Sequence, residues 1–161
     1  MNHYSDYEFD PQKVHLTDFG IAHITRLPNN TGGIHIVPGC VQYLAPEFRK
    51  FQTVNPTTMS DMWAVGCIGY EICLGLELTT DAEWFQEIEA YVKGKPLNLW
   101  RIPERFSQHV HFVIQGCLER EPEKRITAPK LAESLRALLD LMKRGLKDTV
   151  QNKSFFNQNW R

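Results

Sequence analysis

The order of apolar and polar positions predicts four helices preceded by a short strand. Val14-His15-Leu16-Thr17 alternates and runs into the turn-prone Asp18-Phe19-Gly20, the pattern of a strand ending in a turn. Residues 26–42 collect Pro28, Asn29, Asn30, Gly32, Gly33, Pro38 and Gly39, which predicts a loop.

The first helix is predicted over residues 60–75. Met62, Trp63, Val65, Cys67, Ile68, Tyr70, Ile72 and Leu74 leave it no polar face, so it belongs in the middle of a core. Ser60 or Asp61 is suited to cap its start. A second helix is predicted over residues 81–93, with Trp84, Phe85, Ile88, Tyr91 and Val92 at helical spacing, ended by Gly94 and Pro96. The third spans 104–120, with Phe106, Val110, Val113, Ile114, Cys117 and Leu118 on one side and Pro122 as its stop. Thr127 caps the fourth, which tolerates Pro129 in its first turn. Its apolar stripe is Leu131, Leu135, Leu138, Leu139 and Met142. Lys143 and Arg144 suit its negative end, and Gly145 can close it. Residues 146–161 show no periodicity. The fold class is therefore mainly α with a short β element at the front.

Composition narrows the class without naming a function. A chain of 161 residues, 42% apolar and 23% charged, is about one soluble domain with a real core. A net charge of −1 gives no electrostatic reason to bind nucleic acid or an anionic membrane. The polar, acidic first ten residues are not a signal peptide. The longest apolar stretch, 62–78, carries Glu71 and Glu77 and is too short to span a bilayer. Cys40, Cys67, Cys73 and Cys117 are scattered without a C-x-x-C pair. His109 and His111 point to different faces of a helix. A reduced, cytoplasmic or nuclear protein without a metal cluster is expected.

Four motifs carry chemistry. Asp18-Phe19-Gly20 follows the strand. The segment 39–47, Gly-Cys-Val-Gln-Tyr-Leu-Ala-Pro-Glu, closes the loop with Ala45, Pro46 and Glu47. Asp61 opens the apolar helix with Trp63 and Gly66, and Arg125 follows Pro122. Read singly, each has a bland alternative. Asp18-Phe19-Gly20 is an ordinary turn, Asp61 is a helix cap, and Glu47 and Arg125 are two among 19 acidic and 18 basic residues. In this order, with separations of 29, 14 and 64 residues, they resemble the C-terminal lobe of the eukaryotic protein kinase family, on its serine/threonine branch.

The resemblance covers residues 14–142. It implies a kinase-like C-terminal lobe over 1–145, a tail over 146–161, and no N-terminal lobe. It implies phosphoryl transfer from ATP to protein Ser or Thr in the intact family. Asp18 would hold Mg²⁺, with Phe19 and Gly20 beside the nucleotide. The segment 39–47 would form the platform under a protein substrate. Glu47 would pair with Arg125 away from water, and Asp61 would hold backbone amides of the catalytic loop. Thr25 and Thr31 are candidate phosphosites in the activation segment.

Departures from the family point to an inactive chain. Seventeen residues precede Asp18, and they contain no glycine-rich loop, no nucleotide-gripping lysine and no His-Arg-Asp loop with its base. Asp6, Asp10 and Asn2 lack the flanking residues of those motifs, so no catalytic residue is assigned. Cys40 stands where serine/threonine kinases usually carry Thr, and a thiol is a poorer donor. The expectation is a partial kinase domain, from a truncated gene model or a degenerate copy, that binds neither ATP nor Mg²⁺ by itself. The alternative is a non-catalytic, pseudokinase-like interaction module. In either case the partner is a protein, and the apolar helix after Asp61 should expose a patch on the order of several hundred Å².

Overall fold

The longest run of apolar residues builds the helix around which the other elements pack. The structure is a computed structural model that describes residues 14–17, 41–50, 56–99, 101–104 and 108–143. Its helices are α1 (Pro46–Lys50), α2 (Thr58–Leu74), α3 (Ala82–Val92), α4 (Gln108–Cys117) and α5 (Ala128–Lys143). Single 3-10 turns occupy Val41–Tyr43, Leu78–Thr80 and Pro122–Lys124. The fold is mainly α. The chain divides into compact units over residues 1–30 and 31–161, and every helix named above lies in the second.

No strand forms among the described residues. Residues 14–17 carry no regular structure, and Val14 and Leu16 are exposed. Alternation alone therefore misleads there, because a strand exists only where its backbone groups find a ladder partner.

The start of α2 differs from the expected cap. Thr57 is the N-cap, and its Oγ1 accepts from the backbone N–H of Met59 and Ser60 at 3.2 and 3.3 Å. Ser60 completes a capping box by accepting the Thr57 N–H at 3.1 Å. Asp61 is not the cap. It lies exposed in the first turn, where its charge suits the positive end of the helix. At the other end Gly75 sits at φ +70° and donates to the Glu71 carbonyl at 2.7 Å.

The core is aromatic. Trp63, Cys67, Tyr70, Leu78, Trp84, Ile88 and Leu118 are buried in one cluster with Tyr91 and Ile114. Trp63 stacks on Tyr91 with centroids 6.1 Å apart, and Tyr70 meets Trp84 at 5.0 Å. A smaller cluster of Met62, Cys117 and Ile126 joins α2 and α4 to Leu131 at the start of α5. Gly66 permits the close approach of α2 to α4: a Cβ there would meet the Cys117 Cβ at 2.7 Å and Leu118 at 2.8 Å.

Three helices differ in detail from their periodicity. α2 is not buried all round, since Val65, Ile68 and Ile72 are 41%, 49% and 71% exposed, on the face that also carries Asp61. α4 is shorter than the 104–120 pattern, because 101–104 have already left helical geometry and Leu118 is a turn. In α5 Leu135 and Leu139 are exposed, so only part of the leucine stripe is covered. α3 follows expectation. The Asp81 carboxylate caps it by accepting from the Glu83 and Trp84 N–H groups, and Gly94 takes φ +105° just past its end.

Candidate functional site

The site is built on α1, a single helical turn that the hydrophobic pattern does not signal. Pro46 opens it, as Pro does where no backbone N–H is needed. Ala45 and Pro46 are buried, and Glu47 projects toward the turn before α5.

There Arg125 meets it. Arg125 Nη1 donates to Glu47 Oε1 at 2.8 Å, and Nη2 donates to Oε2 at 2.5 Å. The Arg125 side chain is 0% exposed and that of Glu47 is 11% exposed. Such burial is tolerable only if the guanidinium is otherwise satisfied. It is: Nε donates to the Glu119 carbonyl at 2.7 Å, Nη1 to Met59 at 2.9 Å and Nη2 to Arg120 at 3.3 Å. The cation also lies 5.3 Å from the Trp63 ring centroid. One residue thus ties α1 to the start of α2 and to the chain entering α5.

Residues 41–44, just before α1, are held by side chains from several elements. Trp84 Nε1 donates to the Gln42 carbonyl at 3.1 Å, and Gln42 Nε2 donates to Thr79 at 3.3 Å. Tyr43 donates its hydroxyl proton to Glu71 Oε1 at 2.5 Å, and the same oxygen accepts the Leu78 N–H at 2.7 Å. Burial, followed by this bond and the Glu71 charge, raises the Tyr43 phenol far above its usual value. Arg49 reaches back from α1. Its Nε donates to the Leu44 carbonyl at 3.2 Å, Nη2 donates to the Val41 carbonyl, and Nη1 pairs with Glu89 at 2.9 Å.

A second charged pair anchors α3. Arg101 Nη1 donates to Asp81 Oδ2 at 2.6 Å, with both side chains mostly buried. Burial alone would lower the Arg101 pKa, but the Asp81 bond and charge outweigh it and the net shift is upward. Glu87 is raised by burial, although the Asn98 N–H donates to it at 2.8 Å. The thiols of Cys67 and Cys117 are buried, and burial pushes Cys117 up to about 12. They are core atoms rather than nucleophiles.

Of the residues singled out in the sequence, the structure brings Glu47 and Arg125 together and buries Ala45 and Pro46 beside them. It leaves Asp61 exposed. Asp18, Phe19, Gly20, Thr25, Thr31 and Cys40 lie outside the described residues. Among the described residues no group of three or more His, Cys, Asp or Glu could hold a metal ion. No described helix is long and apolar enough to cross a membrane. Sequence reasoning missed Arg49, Glu71, Asp81 and Arg101. In the sequence Glu71 is only a polar break in an apolar run, and Arg49 has no periodic partner.

Residues 7–135 match the model of the protein kinase domain. The chain belongs to the protein kinase family. It is 31% identical over 148 residues to the serine/threonine-protein kinase Nek9 of Xenopus laevis, covering 85% of this chain and 14% of that relative. It is 32% identical over 120 residues to the serine/threonine-protein kinase TIO of Arabidopsis thaliana, covering 74% of this chain and 8% of that kinase. A third relative, human serine/threonine-protein kinase Nek2, is 29% identical over 123 residues, or 76% of this chain and 26% of its own length. This kinase chain therefore spans a small part of each.

Proposed function

We propose that this chain is the substrate-holding part of a serine/threonine-kinase domain, with residues 1–145 as a partial domain and 146–161 as a tail. The observation that carries the reading is the buried Arg125–Glu47 pair, which fixes the end of the 39–47 segment to the body of the lobe. In this reading 39–47 forms the platform beneath a protein substrate, while Glu47, Asp61 and Arg125 are scaffold. Asp18, with Phe19 and Gly20, takes Mg²⁺ and ATP once a nucleotide lobe is supplied.

The 161 residues contain no His-Arg-Asp base and no glycine-rich loop, and the reaction needs both. The chain by itself then transfers no phosphate. The test incubates it with labelled ATP, Mg²⁺ and a mixture of Ser/Thr protein substrates, beside the Asp18→Ala variant. No incorporation is expected. Incorporation that disappears in Asp18→Ala overturns the inactive reading.

A second reading, a non-catalytic module that binds a protein partner, is favoured by one observation. Val65, Ile68 and Ile72 form an exposed apolar stripe along α2. A monodisperse monomer that melts cooperatively and binds no hydrophobic dye counts against it.

A further inference from the structure

Residues 41–44 are too short to hold a shape by their own backbone bonds. The single 3-10 turn there has one internal closure, the Leu44 N–H to the Val41 carbonyl at 3.2 Å. The carbonyls of Val41, Gln42 and Leu44 also accept from side chains, and two of the three take a bond from one residue, Arg49.

The guanidinium of Arg49 is well placed for this. Its side chain is 7% exposed. Nε and Nη2 face the Leu44 and Val41 carbonyls, and Nη1 faces Glu89 on α3. The plane also lies 5.7 Å from the ring centroid of Phe85, which is itself on α3. A planar fork with donors in fixed directions can serve two carbonyls and a carboxylate at once, and a lysine ammonium cannot. Segment 41–44 is thereby fastened to α3 through Arg49 at the Val41 and Leu44 carbonyls, beside the Trp84 indole at the Gln42 carbonyl.

We propose that Arg49 is a positioning residue that holds residues 41–44 in a ready-made shape against α3, so that a peptide arriving at this segment meets a fixed surface and its binding is felt by α3. The functional half of this rests on the reading of 39–47 as the substrate platform.

Two local probes report on the brace. The Leu44 amide closes the turn, and the Trp84 indole N–H donates to the Gln42 carbonyl. The chain has four tryptophans, so the Trp84 indole signal in a ¹H–¹⁵N spectrum is identified by its loss in Trp84→Phe. In Arg49→Met the Leu44 amide should exchange at least about tenfold faster and the Trp84 indole signal should move, while amides of α2 and α4 keep their protection. Arg49→Lys should behave like Arg49→Met. Glu89→Gln, which keeps both backbone bonds, should leave Leu44 within about twofold of the wild type.

Unchanged Leu44 exchange and an unmoved Trp84 signal in Arg49→Met overturn the proposal. So does uniform acceleration across α2 and α4, which would make Arg49 only a contributor to global stability. If Arg49→Met does not fold, Arg49→Lys is judged by the same two probes. A Ser/Thr peptide array then separates the brace from the platform. Peptides retained by the wild type and lost with Arg49→Lys support the link to recognition, and equal retention by both overturns it. Retention by neither sinks the platform reading while the exchange data still decide the brace.

Discussion

Arg125 and Glu47 are 78 positions apart and meet through two parallel hydrogen bonds inside the protein. Removing either partner leaves the other charged and buried. Glu47→Gln or Arg125→Met should each cost about 3–5 kcal/mol in urea unfolding. Arg125→Lys should not restore stability, because one ammonium cannot replace a guanidinium that also serves the carbonyls of Glu119, Met59 and Arg120. A double variant less destabilised than the sum of the two singles would measure the coupling directly.

Gly66 sits where α2 presses on α4. The Cβ introduced by Gly66→Ala would lie 2.7 Å from Cys117 Cβ and 2.8 Å from Leu118 Cδ2. Better helix propensity would offset part of the clash. A net loss of about 1–3 kcal/mol is expected by chemical denaturation. Gly69→Ala, whose nearest contact is Ile114 at 3.4 Å, should cost less.

Ile72 is 71% exposed, so Ile72→Glu should change folding stability by no more than about 0.5 kcal/mol. If the α2 stripe is the apolar patch, the same change should lower binding of a hydrophobic dye. A large loss of stability would mean that Ile72 is covered in solution.

Asp61 faces water here and lies in the first turn of α2. Asp61→Asn should therefore cost only about 0.3–1 kcal/mol, the worth of a charge at a helix end. A loss of several kcal/mol would show a buried partner for this carboxylate.

Burial raises Tyr70 and Cys117 from 10.0 and 9.0 to about 12. Both fold in their neutral forms. Their contribution to stability is complete below the unfolded values and is lost as pH climbs through 9 toward 12. Alkaline unfolding should begin in that window, followed by circular dichroism. In Cys40→Ser the remaining thiols are the three buried ones. They should react with a thiol reagent at pH 8 only as fast as the protein opens. Rapid native-state labelling would contradict the packing of α2 against α4.

Much of the helical layout was legible because burial imposes a period. Trp84, Ile88 and Tyr91 recur at helical spacing, and all three are buried on α3. Capping was legible only in part. Neither Ser60 nor Asp61, the two expected caps, caps α2: Thr57, which lies before the apolar run, is the cap, and Ser60 sits at the third helical position, where it closes the capping box. The short helix α1 could not be read, since five residues hold too little periodicity.

The chain alone determines where apolar surface must be hidden and where the backbone must turn, because those requirements are local and repeat along the sequence. It also spells the motifs that resemble the kinase family. Which charges meet was decided by tertiary structure. Nothing in the sequence links Arg49 to Glu89, and Arg125 is expected to meet Glu47 only through the family resemblance; each pair forms because packing brings distant residues within reach. The same holds for the face of α2 left in water. A helix apolar on every side does not record which side its neighbours will cover.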